Sequence, residues 1–195
     1  MLRSKSPNLE TTLGLILKTA GLAALQRWGM YAKNTKKIRV EPFFFKNYIT
    51  FARATANSPL WRQFYAKVNG KPMEVLRDGR LSCAFHLTSI LKLFSLVDDI
   101  QLTVHRTLDD MLKSGWYKIK KPRVGCVILW AEKPASKDRV KRDSKIYSNK
   151  VKHAGIYLGG DKAISNRDHK RTPIIHSLHY RPVEAFFWHK KLNRP

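Results

Sequence analysis

The order in which two hydrophobic periodicities appear along the chain constrains its fold more than any other feature. Up to about residue 112 the apolar residues recur at helical spacing, and after Pro122 they gather in short strand-like runs. Phe44, Tyr48, Phe51 and Ala52, then Leu60, Phe64 and Tyr65, predict helical material broken at Ser58-Pro59. Asn69-Gly70-Lys71-Pro72 and Asp78-Gly79 read as turns. From Cys83 to about Leu96, the residues Ala84, Leu87, Leu91 and Phe94 fall on one buried helical face. Residues 107–112 predict a short helix capped by Thr107, with Asp109 and Asp110 suited to its positive end and Ser114-Gly115-Trp116 closing it. Strands are expected at 124–130, 152–158, 162–166 and 183–189. Helices first and an antiparallel sheet after is an α+β order, not alternating βαβ units.

A length of 195 residues with 43% hydrophobic content suits one domain with an extension. Residues 1–42 read as a basic N-terminal helical extension and 43–195 as the domain. Leu13, Ile16, Leu17, Ala20 and Ala24 fit an amphipathic helix, part of the fold or lying on a membrane surface. The same stretch follows Arg3 and Lys5, as a signal peptide's apolar middle would, although Lys18 interrupts it. A net charge of +24 must face outward and attract polyanions, whether cell-wall polymers, lipid headgroups or nucleic acid. Nucleic acid is the less favoured partner, because no RNA-recognition signature, zinc spacing or Gly-rich phosphate loop accompanies the charge. The basic insert over 132–145 reads as a solvated loop or as an arm holding an anionic polymer near a site.

Two cysteines make no disulfide framework. Cys126, in the apolar run Val124-Gly125-Cys126-Val127-Ile128-Leu129-Trp130, is expected to be buried. Cys83 opens a helix, where unpaired N–H groups and the macrodipole favour a thiolate over the usual pKa of about 8.5. The same N–H groups can receive an oxyanion. His153 opens the strand Ala154-Gly155-Ile156-Tyr157-Leu158-Gly159, and a histidine there can favour the thiolate as a nearby imidazolium and act as base and then acid toward a cysteine nucleophile. Taken alone, each residue reads as well or better as an ordinary structural cysteine or histidine. The pair, in this order, points to nucleophilic catalysis.

The residues between Leu81 and Ile164 resemble the NlpC-type cysteine peptidases, papain-like hydrolases of the bacterial cell wall. That family's Asp-Cys-Ser-Gly has its counterpart in Ser82-Cys83-Ala84-Phe85, and its Pro-Gly-Asp-Leu-Val-Phe-Phe in the run from Val124 to Trp130. Its His-Val-Gly-Ile-Tyr-Ile-Gly is matched by His153-Ala154-Gly155-Ile156-Tyr157-Leu158-Gly159, the narrowest of the three patterns. The resemblance covers somewhat under half of the chain. It implies a papain-like fold with the nucleophile helix packed on an antiparallel sheet, Cys83 as nucleophile and His153 as base. A third polar residue on the next strand would orient the histidine. Counting along the hairpin gives Ser165, with Asn166 its rival after a one-residue shift; His176 and His179 are more distant and read as surface histidines.

The resemblance further implies hydrolysis of amide bonds in peptidoglycan stem peptides, with no metal and no organic cofactor. A monomer placed in the cell envelope or secreted fits that reading. Ser82, Ala84, Phe85 and Cys126 depart from the family pattern, which bears on the substrate more than on the chemistry. Two other functions fit the same residues: a catalytically silent basic module for anionic polymers, and an acyltransferase touching a membrane through its N-terminal helix.

Overall fold

The structure, a computed structural model, describes residues 39–134, 150–167 and 169–194. The expected extension over 1–42 lies almost wholly outside the described residues, as does most of the basic insert. Pro42–Pro195 form one compact α+β unit.

The first helix, α1 (Phe44–Ala54), buries Tyr48 and Ala52. Its polar atoms reach the sheet: the Tyr48 hydroxyl donates to the Gly125 carbonyl at 3.0 Å and the Arg53 guanidinium to that of Leu158 at 2.7 Å. Helical structure was expected to extend through Tyr65, and it does not. Pro59 has no N–H to give, and the Ser58 hydroxyl accepts from the Leu60 N–H to start a separate 3-10 turn. Tyr65–Val68 (β1) then pairs with Lys71–Glu74 (β2) about Asn69-Gly70, a hairpin turn with both φ values positive. The turn was legible, but its flanking strands were not.

The second helix, α2 (Cys83–Leu93), stops where Ser95 takes a φ of 51°. Leu87, Ile90 and Leu91 are fully buried, each a gain of about 1.5–3 kcal/mol over exposure. The third, α3 (Val104–Lys113), starts earlier than expected and is capped by Thr103, whose hydroxyl accepts from the Arg106 N–H at 3.3 Å. Thr107 lies inside that helix, buried, and donates to the Thr103 carbonyl. Asp110 does not serve the positive end either. It accepts the N–H groups of Asp98 and Asp99 and the side chains of Gln101 and Ser114, and so ties down the loop before the helix. Burial alone would raise its pKa, but these donors outweigh burial and hold it below the usual carboxylate range.

Six antiparallel strands form the main sheet: β3 (Trp116–Ile119), β4 (Val127–Pro134), β5 (Lys150–Gly159), β6 (Lys162–Arg167), β7 (Thr172–Ser177) and β8 (Val183–His189). Their spatial order is β3-β8-β4-β5-β6-β7, so a four-strand meander is extended when β8 returns to the far side of β4. The four expected strands are present, β8 with the bounds expected and the other three with shifted ends; β3 and β7 are additional. Alternation along the strands separates two clusters. Leu129, Ala154, Ile156, Leu158 and Ile164 join α1, α2 and α3 in the main core, and Cys126 is buried there as expected. Ile128, Trp130, Ala163 and Leu178 form a smaller cluster with Tyr157 and Tyr180 against it. The first of these clusters holds α2 against β5 and β6.

Candidate active site

Cys83, half-buried, is the first residue of α2. The turn before it is tightly built. Asp78 holds the guanidinium of Arg62 in a two-point pair and also that of Arg171, and Arg62 above all keeps its carboxyl below the usual range. Gly79 follows with φ +82°, and a Cβ there would stand 2.3 Å from the Arg171 carbonyl oxygen, so the turn closes only around glycine. The Gly79 carbonyl is clasped by two donors, the Ser82 hydroxyl at 3.0 Å and the Asn166 amide at 2.6 Å. Ser82 therefore spends its hydroxyl on that carbonyl and caps none of the first-turn N–H groups.

On the sheet, Trp130 and His153 are direct cross-strand partners, at a point where β4 changes register against both neighbours. Such irregularities re-aim side chains. The His153 Nε2 lies 2.8 Å from the Ser165 hydroxyl, which lies 2.7 Å from the His176 Nε2; the His176 Nδ1 lies 2.9 Å from the Ser177 carbonyl. A carbonyl only accepts, so His176 carries its proton on Nδ1 and, when neutral, accepts at Nε2. The Ser165 O–H then donates to His176, and its oxygen accepts the N–H of His153 Nε2. The chain of bonds leaves the Nδ1 of His153 as its basic nitrogen.

Trp130 forms one wall of this chain, its ring centroid 5.4 Å from His153, 5.6 Å from His176 and 5.1 Å from Tyr180. The Trp130 indole N–H is fixed on the Leu178 carbonyl at 2.8 Å. Burial pushes the His153 pKa well below the ordinary histidine value, and the guanidiniums of Arg181 and Arg167 push the same way. The low pKa makes His153 a neutral base at rest. This differs from the imidazolium expected to stabilise a thiolate. Burial also lowers the His176 pKa, which keeps it the acceptor the chain of bonds needs.

Of the expected residues, His153 and Ser165 come together. Asn166 does not join them: the next residue on a strand faces the other way, and its amide goes to Gly79. His176 corrects its reading as a surface histidine, while His179 is exposed and paired with Asp161. The signal for His176 was in the β6–β7 pairing, which sets it opposite Ala163, two residues before Ser165 on the same face. Cys126 is excluded from thiol chemistry, since burial raises its pKa to about 12. Among the described residues, no three His, Cys, Asp or Glu side chains are grouped to hold a metal ion, and no helix is long and apolar enough to cross a membrane.

Gly155 makes the arrangement possible. A Cβ there would stand 2.5 Å from the Ile164 carbonyl oxygen, 2.7 Å from the Ser165 Cβ and 3.0 Å from the Trp130 ring. Gly155→Ala is expected to cost about 1–3 kcal/mol of stability, as overpacking does, measured as a lower urea midpoint. It should also displace Ser165 from His153, seen as a shift of the His153 ring resonances.

No family model matches the chain, and no curated protein is similar to it.

Proposed function

We propose that the protein is a cysteine hydrolase of amide bonds built on a papain-like, NlpC-type scaffold. The observation that carries this reading is the unbroken bonding from the Ser177 carbonyl through His176 and Ser165 to His153, which orients one imidazole with its Nδ1 as the base. His153 Nδ1 takes the Cys83 thiol proton as the sulfur attacks the substrate carbonyl carbon. First-turn N–H groups of α2 receive the oxyanion. The protonated His153 then gives that proton to the departing amine, leaving a thioester. Water, deprotonated by the same nitrogen, cleaves the thioester and restores the thiol. Ser165 and His176 act through His153 as positioning residues.

Peptidoglycan stem peptides are the proposed substrate class, in keeping with the family resemblance and with a surface of net charge +24. The chemistry calls for no metal or organic cofactor. The same charge favours, as a second reading, a catalytically silent module that binds anionic polymers. Alkylation by iodoacetamide across pH, read by mass spectrometry, separates the two. The wild type is expected to label at Cys83 alone, faster than a small thiol near neutral pH, and Cys83→Ala is expected not to label. A Cys83 rate no faster than that of a small thiol would sink the hydrolase reading. Rapid labelling without cleavage of any cell-wall fragment would remove the substrate and keep the nucleophile.

A further inference from the structure

Beside the imidazole chain lies a second feature that the hydrolytic steps do not use. Tyr180 packs edge-on against both imidazoles, its ring centroid 5.9 Å from His153 and 4.4 Å from His176. Two guanidiniums lie over the same ring: Arg167 at 4.2 Å from its centroid and Arg181 at 5.5 Å. Arg167 is two residues beyond Ser165 on β6 and so shares its face of the sheet. Carboxylates neutralise other cations of the fold. Asp78 takes Arg62 and Arg171, and Glu184 takes Lys152. Among the described residues no carboxylate is paired with Arg167.

We infer that Arg167, stacked on Tyr180, is a binding subsite for a carboxylate carried by the substrate close to the bond that Cys83 attacks. This deepens the hydrolase reading and rests on it. A guanidinium held flat on an aromatic ring keeps its N–H edge available for a planar two-point bond to a carboxylate, and pays little entropy to make it. The stack also places that edge one aromatic ring away from His153.

Two reagents of nearly equal size test this, iodoacetate and iodoacetamide, which differ in carrying a carboxylate or a neutral amide. In both, the Cys83 sulfur displaces iodide and forms a carbon–sulfur bond. The quantity read is the ratio of the two alkylation rates at Cys83, at 0.15 M salt where charges beyond about 8 Å are screened. The wild-type ratio is expected to exceed that of a small thiol by roughly tenfold, the lower range of electrostatic concentration in a charged cleft. Arg167→Gln should bring the ratio down toward the small-thiol value, and Arg167→Lys should keep part of the preference. Arg123→Gln removes a guanidinium stacked on Trp188, away from the site, and should leave the ratio where it was.

A wild-type ratio equal to that of the small thiol, or one that Arg167→Gln leaves unchanged, overturns the subsite and leaves the nucleophile standing. So does an equal fall in Arg123→Gln, which would trace the preference to net charge. Failure of both reagents to alkylate Cys83 overturns the hydrolase reading itself, and the subsite with it.

Discussion

Challenged with a p-nitrophenyl ester, a His153→Ala variant is expected to release nitrophenol roughly 10²–10⁴-fold more slowly than the wild type, the range spanned by positioned acid–base groups. The loss follows from where the protons sit. With His176 donating to Ser177 and Ser165 donating to His176, His153 Nε2 is held as the donor and Nδ1 is the nitrogen left to take a proton. Removing the ring removes that acceptor outright. Ser165→Ala keeps the ring and loses its orientation, so a smaller loss is expected there. The pH profile gives a readout that simple misfolding would not imitate. His153 must be neutral to act, and burial followed by the nearby positive charges lowers its pKa. The acid limb of the rate should therefore lie below the ordinary histidine value of about 6.5. An acid limb at or above that value would contradict the assignment.

Acid should also unfold this protein earlier than its carboxylates alone would require. His86 is fully buried on α2, with its Nε2 2.9 Å from the Thr55 hydroxyl. That hydroxyl already donates to the Ala52 carbonyl, so it accepts the His86 N–H, and the His86 Nδ1 is left buried with no hydrogen-bond partner. Burial lowers the His86 pKa to about 3. In the unfolded chain the ring ionises near pH 6.5. Above that pH both states are neutral and the group has no pH effect. As pH falls from 6.5 toward 3 the unfolded chain binds the extra proton, and about 5 kcal/mol of stability is lost. His153 and His176, also lowered by burial, act with the same sign. Asp78 and Asp110, held below the usual carboxylate range, add their loss only at more acid pH. Urea midpoints should thus begin falling below pH 6.5, and His86→Gln should flatten the decline between 6.5 and 4. A wild-type midpoint constant over that interval would contradict the reading.

The parts of the site that were legible in the sequence are those fixed by short-range geometry. The turn between β5 and β6 is brief, so counting back along a two-residue period from the Gly-Ile-Tyr-Leu-Gly run reaches Ser165 opposite the His153 strand. The helix opened by Cys83 showed in its own 3.6-residue spacing. His176 needed the register of a third strand, and β7 conceals itself: it is an edge strand, carries Pro173, and is only partly buried. β1 and β2 hid for a similar reason, since Tyr-Ala-Lys-Val and Lys-Pro-Met-Glu hardly alternate and bury little. Thr103 was missed as a cap because Thr107 competes for the role one turn later, and only packing decides between them. The electrostatic character of the site was not legible at all. A histidine read as an imidazolium from its neighbours in sequence becomes a neutral base once its burial is known.

The clasp on the Gly79 carbonyl gives β6 a double duty. Ser165 and Asn166 are consecutive, and the pleat sends one to the His153 ring and the other to the turn that launches α2. A single strand therefore anchors both the His153 ring and the turn that launches α2. A slip of one residue would put an amide where the hydroxyl belongs and withdraw the clasp in the same motion. The orientation of the His153 ring and the seating of the turn before α2 are thus coupled through the register of β6.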